Sequence, residues 1–540
     1  MSSESRSSES RSSESELSSV LPPGARNQTD VFAVHGADPE VLAYAMAKYS
    51  RSALSMRESL SEISAQRAEQ FLNTFYFQYG HRSIADLAHI AFAVERLSLL
   101  AAIVLVDEQR WDGQERSTRY QNFLKSGWYF PEFGQDSSAA ALYADTINNL
   151  FATYQRTTAA VLEALRRRIP CPATLKPEAY ERTLKARAFD VARYLLPLAT
   201  NTSLGQIVNA RTLEAQVSRL LSHPAAEVRD LGLKLREAAT GPAWNVNAQW
   251  AAAFVQKLDS ALAEEAAGLF TREVRTAPTL VKYAEASSYR IQTQAELAQA
   301  AAELLAGHPI AASPVVDLVE RTETLEVELA STLLYSAAHH GYRQIRDLVA
   351  ALPAPRVDEI VELGLRHRGR HDEALRAFHA GAALRFDILM DIGGFRDMHR
   401  HRRCVQIIQG FTALHGCEIP DCGDLEPGVD MLAEAGILVE FKAALDQAHT
   451  ASAQIAASEA PEAAQSALYL LPLATRIRSL FKMDFAEAQY ISELRSAPAG
   501  HFSYRRIAWE MYKALERQHP MLAKHIRVTD FTQPIDLLQR

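Results

Sequence analysis

Apolar residues recur at three- and four-residue steps across Glu40–Ser59, Ile63–Tyr79, Ala139–Arg168, Pro224–Ala239 and Ala295–Leu305, in stretches rich in Ala, Leu and Glu. That spacing sets the apolar side chains on one face of a helix, and Ala and Leu favour the helical backbone, so each stretch is predicted helical. Strand signals are few and short. AHIAFAV at 88–94 and SLLAAIVLV at 98–106 have the length of a strand or a buried helix, and periodicity alone does not separate the two. The longest apolar run, Leu99 to Val106, is far below the roughly 20 residues that cross a bilayer. The pattern therefore predicts an α+β protein in which helix dominates, with no membrane span.

The pattern also repeats. LLPLAT occurs at 195–200 and again, identical, at 470–475. Upstream of each copy, GHRSIADL at 80–87 is matched by GYRQIRDL at 341–348, in the same order. Two ordered matches at offsets of 275 and 261 residues point to a duplicated domain with insertions and deletions between its landmarks. The boundary is expected between 270 and 285, where helical pattern gives way to TREVRTAPTL and Pro278 breaks the chain. The division expected is 1–28, 29–275 and 276–540. The first of these, with its SSESR pentads at 2–6 and 7–11 and no apolar core of a signal peptide, is read as a disordered Ser/Glu/Arg tail.

Composition narrows the functional classes. Lys plus Arg is 57 against 65 Asp plus Glu, a formal charge of -8, and the chain is 48% hydrophobic and 23% charged. That is an ordinary globular composition without the basic surface that binds nucleic acid through phosphates, although a few local arginines can still hold a small anion. Four cysteines in 540 residues are too few for a disulfide scaffold and fit the reducing cytoplasm. Cys417 and Cys422 lie near His415, but C-x4-C without a second Cys/His pair is a loose match to zinc, and no metal is expected.

Two charged segments carry candidate chemistry. In FRDMHRHRRC at 395–404, His399 to Arg403 are five consecutive basic or potentially basic groups. Such a run needs solvent or an anion, and guanidinium forks suit phosphate; a solvated helix end explains it equally well. Cys404, beside the arginines, is the one alternative nucleophile in view, through a lowered pKa. In the first half, Glu115, Ser117 and Arg119 alternate within DEQRWDGQERSTRYQNF, so an extended backbone puts an acceptor, a hydroxyl and a cation on one side. Taken alone, an exposed loop with local ion pairs accounts for that trio more simply. No phosphate-binding G-x4-GK[ST] loop is present, and DIGGF at 391–395 is no dinucleotide fingerprint.

These two segments resemble the flavin-dependent thymidylate synthases, the ThyX family, whose motif reads R-H-R-x2-S-x-N-E-x-S-x-R-Y after G-H-x-S-x-x-E-H and an apolar stretch. The first half has GHRSIADL and the apolar stretch; it has Asp107, Glu108 and Gln109 where R-H-R is expected, and keeps Glu115, Ser117, Arg119 and Tyr120. The second half has Arg400, His401 and Arg402 as R-H-R, then Val405, Ile407, Ile408, Gly410 and Thr412 at the polar positions. Downstream, the first half keeps Arg193 before LLPLAT and keeps Asn209 and Arg211, but has Leu220 at the final arginine position. The second has Leu468, Asp484 and Ala486 at the former positions and Arg495 at the last. Each half retains what the other lacks.

The resemblance implies two tandem ThyX-like domains, each with a small sheet, and a composite site between them. In that scheme Glu115, Ser117, Arg119, Arg193, Arg400 and Arg495 bind dUMP, with Arg495 as the catalytic group that polarises the uracil edge. Ser83, Glu115, Asn209, Arg211, Arg400, His401 and Arg402 contact FAD. The implied reaction is reductive methylation of dUMP to dTMP with methylenetetrahydrofolate and NADPH as co-substrates, in a homodimer that forms a pseudo-tetramer, and the reciprocal site, near Asp107 and Val405, is expected to be dead. Asp397 stands where the family has Gln. The rival readings are a degenerate flavin- or nucleotide-binding protein without synthase activity, and a purely structural protein, which leaves the complementary losses as coincidence.

Overall fold

The computed structural model describes residues 37–48, 82–270, 272–282, 284–369, 372, 374–426 and 428–539. The expected tail at 1–28 and the helix expected at Ile63–Tyr79 lie outside them. Of the stretch Glu40–Ser59, the described part is helical over Pro39–Lys48. Helices at Ser137–Arg168, Ala226–Thr240 and Ser288–Leu305 answer three other expectations; the last starts earlier than its apolar pattern because Ser287 caps it, accepting from the Arg290 N–H. The ambiguous apolar runs divide. The first lies in strand β1 (His89–Ser98) and the second is helix Leu99–Leu105, started by Ser98, whose hydroxyl accepts from the Ala101 N–H at 2.9 Å.

The fold is α+β, helix-dominated, with two small antiparallel sheets. The first runs β1, β3 (Asn201–Asn209), β2 (Asp112–Glu115) across the sheet, with Ile90 opposite Val208 and Gln114 opposite Gly205. Gly113 in β2 has no alternative: a Cβ there would lie 2.4 Å from the Gly205 carbonyl and 2.5 Å from the Trp111 ring. The second sheet runs β4 (Val316–Leu318), β5 (Leu384–Asp391), β7 (Arg476–Met483), β6 (Val405–Ile408). Apart from the added β4, the connectivity matches. A strand leads into a seven-residue helix, Leu99–Leu105 or Ile392–Met398, then into a short strand, and the strand that follows LLPLAT lies between the two. The helix caps repeat as well, Ser98 matching Asp391 and Asn209 matching Asp484.

The landmark at 80–87 and 341–348 does not repeat in space. Arg82–Leu87 is a short 3-10 helix directly before β1, whereas Tyr342–Ala350 is an α-helix separated from β5 by helix Ala354–Leu363. The segment immediately before β5 is instead Arg376–Phe378.

The two LLPLAT copies pair with each other. Leu198 N–H donates to the Leu471 carbonyl at 2.9 Å and Leu473 N–H returns to Leu196 at 2.9 Å, around an antiparallel bridge of Pro197 with Pro472. Each proline lacks an N–H and faces its own copy, while the flanking leucines bury their side chains in one core shared by both halves. Several buried charges in this interior are paired across the halves, between strands or between strand and helix. Asp424 receives Arg187 from the first half and Arg505 (2.9 Å) from the second, and on β7 Arg478 donates to Asp387 (2.9 Å) and Lys482 to Glu328 (3.0 Å). Among the described residues no helix is long and apolar enough to cross a membrane.

Candidate active site

The basic run enters the site from a helix end. Asp391 accepts from the Gly394 N–H at 2.6 Å and starts helix Ile392–Met398; the chain then turns through 399–404 before pairing as β6. Gly394 permits this start, because a Cβ there would meet the Ser503 hydroxyl at 2.5 Å. From the first half, β2 and the segment after it carry Glu115, Ser117 and Arg119 to the same place, and Arg193 arrives at the end of helix Pro177–Ala192. One cleft of about 80 Å³ is lined by Glu115, Ser117, Arg119 and Arg193 together with Arg396, Asp397, Arg400 and Arg402. Six expected site residues thus meet across the two halves.

Contacts across the cleft are specific. Arg400 donates to the Gln114 side chain at 2.9 Å, and Arg396 pairs with Glu115. Arg193, buried, reaches the Asp397 carboxylate at 3.4 Å through both terminal nitrogens and the Thr118 hydroxyl at 3.5 Å. Arg119 forks onto Asp190 at 2.7 and 3.2 Å and also donates to the Tyr504 hydroxyl (3.1 Å) and the Ala499 carbonyl (3.3 Å) of the second half. Burial would lower the Arg119 pKa, but the Asp190 carboxylate holds it above the usual guanidinium value. Three of the arginines that line this cleft, Arg119, Arg193 and Arg396, are therefore held by carboxylates, and the free volume of about 80 Å³ is well below the roughly 300–1,000 Å³ of small-molecule sites.

Arg402 stands differently. Its guanidinium lies 4.4 Å from the Trp111 ring centre, its Nε is buried without a hydrogen-bond partner, and burial with the neighbouring charge of Arg400 lowers its pKa to about 10. Arg400, Arg402, Trp111 and Asn209 line an adjoining cavity of about 410 Å³ whose apolar wall is Ile207 and Val208. The Asn209 side-chain oxygen caps helix Ala210–Leu221 at the Thr212 N–H, 2.8 Å. Asp484 caps Phe485–Ser496 in the same way, so that exchange between the halves preserves a structural task.

The remaining expected residues line neither cavity, and Arg211 faces a separate cavity beside Asp107 and Arg376. Arg495 donates from Nε to His401 Nε2 at 2.7 Å, and its guanidinium is 5.4 Å from the Tyr504 ring centre, behind the cleft and joined to it through the tyrosine that holds Arg119. Burial lowers the His401 pKa, and its Nε2 accepts from Arg495, so the neutral ring carries its proton on Nδ1, 3.5 Å from Glu487. Arg211 reaches Asp86 at 3.4 Å. Ser83 is in the 3-10 helix before β1. Cys404 lacks the setting of a reactive thiol: it is buried, and burial pushes its thiol up to about 12, against the lowered value expected beside arginines.

Sequence reasoning missed Arg396, Asp190 and Tyr504. The signal for two of them was helical spacing. Arg396 precedes Arg400 by four residues and Asp190 precedes Arg193 by three, each about one turn. Tyr504 comes from a segment outside every motif, and only folding brings it to Arg119.

A cleft built from two copies of one topology, joined at an identical hexapeptide and lined by arginines from both, defines a duplicated protein whose candidate site is shared by its halves. The profile of the Thy1 family, described as thymidylate synthase complementing protein, matches residues 33–241 and again 325–521, and the chain belongs to that family. A UPF0159 protein of Chlamydia pneumoniae is 28% identical over 94% of this chain and 93% of its own length, and one of Thermoplasma acidophilum is 25% identical over 90% and 94%. A flavin-dependent thymidylate synthase of Clostridium tetani is 24% identical over 33% of this chain and 67% of its length. Among solved structures, the Helicobacter pylori ThyX complexed with FAD and dUMP shares 18% identity, covering 39% of this chain and 93% of that one at a TM-score of 0.25.

Proposed function

We propose that this chain is a flavin-dependent thymidylate synthase that methylates dUMP reductively to dTMP, with methylenetetrahydrofolate and NADPH as co-substrates, at one composite site per chain. One observation carries the reading: Glu115, Ser117, Arg119 and Arg193 share a single cleft with Arg400 and Arg402 of the other half, although nearly 300 residues separate Arg119 from Arg400. Such a density of guanidinium groups suits a phosphate. Arg119, Arg193 and Arg400 neutralise it in this scheme, Glu115 and Ser117 orient the sugar and base, and Arg495 polarises the uracil edge. The family relatives named above include a structure with FAD and dUMP.

The residues present fit FAD. The buried, unpartnered Nε of Arg402 and the guanidinium of Arg400 suit a pyrophosphate, and Trp111, Ile207 and Val208 give a flat ring an apolar wall. Asn209 lines the same cavity; Ser83, Glu115, Arg211 and His401 are the other flavin contacts that the family resemblance implies, and Arg211 stands apart from them in a neighbouring cavity. FAD bound there supplies the hydride transfer. The chain's own part is to orient the pyrimidine, hold its phosphate and exclude water once the arginine–carboxylate pairs have opened. The assembly proposed is a homodimer with the four-part geometry of a pseudo-tetramer, in the cytoplasm.

A second reading, a flavin- or nucleotide-holding protein without turnover, draws on the bidentate Arg119–Asp190 pair, which occupies an expected phosphate ligand. One experiment separates them. The protein with FAD is reduced anaerobically with NADPH, then given dUMP and methylenetetrahydrofolate. Flavin reoxidation with dTMP formation is the expected result. Bound flavin without dTMP favours the second reading, and no flavin binding overturns the synthase and leaves only the nucleotide-holding form of the second reading.

A further inference from the structure

The expected dead site is neither collapsed nor neutral. A cavity of about 470 Å³ has Asp107, Glu108 and Gln109 on one side and Gln406, Ile407 and Ile408 on the other. These are the duplicated counterparts of Arg400 to Arg402 and of Gly113 to Glu115, so the cavity is the reciprocal of the nucleotide cleft. Its original ligands are gone, yet other arginines line it. Arg376 pairs with Asp107 at 2.5 Å and Arg219 donates to Glu108 at 2.9 Å and to the Val104 carbonyl at 2.7 Å. Both carboxylates are thereby neutralised in place.

Arg290 faces the same cavity with no carboxylate in ion-pair distance among the described residues. Burial and the neighbouring charge of Arg219 lower its pKa by more than the Glu108 carboxylate, already held by Arg219, raises it. It arises from helix Ser288–Leu305, which lies between the two matched segments, and Gln294, one turn further on that helix, lines the cavity too. A helix from outside the duplicated pattern has thus brought a new cation to the place where the old ones were lost.

We propose that this cavity is a second ligand site, for a phosphorylated small molecule of nucleotide size, with the phosphoryl group on Arg290 and the Gln294 side chain and the uncharged portion against Leu375, Ile407 and Ile408. The volume lies within the roughly 300–1,000 Å³ of small-molecule pockets. The apolar strip along Ile407 and Ile408 replaces the polar counterpart strip of Gln114 and Glu115, so its ligand differs from that of the cleft.

The probe is radiolabelled inorganic phosphate in equilibrium dialysis, with and without saturating dUMP. The site proposed here predicts a phosphate equivalent that dUMP does not displace, weakened at least tenfold by Arg290→Gln and partly restored by Arg290→Lys. Ile408→Glu, which adds a carboxylate to the cavity, should remove the same equivalent and provides the test if Arg290→Gln does not fold. Absence of a dUMP-resistant equivalent in the wild type, or its persistence at unchanged affinity in Arg290→Gln or Ile408→Glu, overturns the proposal. The dUMP-displaced equivalent reports on the composite cleft alone, and its failure would count against the synthase reading instead.

Discussion

The pair that decides access to the cleft is Arg193 with Asp397, and Asp397→Asn is the sharpest perturbation of it. The carboxylate lies 3.4 Å from both terminal nitrogens of an arginine that is 2% exposed, while its own side chain is 23% exposed. At 3.4 Å two unit charges attract by roughly 5 kcal/mol at an effective dielectric of 20 and by about 1 kcal/mol in bulk water. Partial exposure and the long contacts place the net value near the lower end, about 1–2 kcal/mol. Asn keeps the shape and an acceptor for Arg193 but removes the charge that a nucleotide phosphate must displace or lie beside. Affinity for dUMP, measured by isothermal calorimetry, should therefore rise by about 5- to 30-fold. Because the gain is electrostatic, it should shrink when ionic strength is raised. Unchanged or weaker binding in Asp397→Asn would refute the reasoning and make Asp397 a group that positions Arg193 rather than one that competes for it.

Other expectations concern both cavities and the scaffold. Arg119→Ala and Arg400→Ala should each weaken dUMP binding by more than about tenfold, roughly the 1.5–3 kcal/mol of a charged hydrogen bond, although they belong to different copies; calorimetry on the two variants checks this. Asp107→Ala should cost about 1–3 kcal/mol of stability in chemical denaturation, because Arg376 loses its partner in a half-buried site, and should leave dUMP affinity unchanged. An assumption that this position tolerates change because its site is dead overlooks that ion pair. His223 is held neutral by burial and by Arg219 and Arg229, with its pKa lowered to about 4. The unfolded ring takes up its proton near 6.5, so stability from this group is present above that value and is lost as pH falls towards 4. Thermal melts of His223→Gln between pH 7 and 4 should show a shallower acid decline than the wild type.

How far the sequence can be read depends on whether a residue acts within its own segment. Helices such as Ser137–Arg168 announce themselves through spacing, and the duplicated LLPLAT predicts the repeat whose copies meet at Pro197 and Pro472. The run 98–106 stayed ambiguous because its burial is nearly complete, which removes periodicity, and Ser98 as a cap decides it. The match of 80–87 with 341–348 misled because shared letters do not fix position: one segment abuts β1 and the other is a separate helix. In the cleft, the alternating Glu115, Ser117 and Arg119 were legible as a unit. The carboxylates that restrain the arginines, Asp190 and Asp397, were harder to see, since pairing depends on where helix ends arrive in space. Cys404 shows the same limit, because adjacency to arginines in sequence suggested a lowered pKa and burial reversed the sign.

The hydrogen bonds that join Leu198 to Leu471 and Leu473 to Leu196 tie two copies of one surface within a single polypeptide. A tether of this kind holds its ends at effective concentrations of about millimolar for short flexible links, whatever the concentration of the protein. Dilution therefore does not part Glu115 from Arg400, as it would if they belonged to separate chains. In a symmetric pair of identical chains every substitution also falls on both sides of the axis at once. Here a codon change at Gln114 leaves Ile407 untouched, so the cleft and its reciprocal cavity can be selected for different ligands by separate mutations.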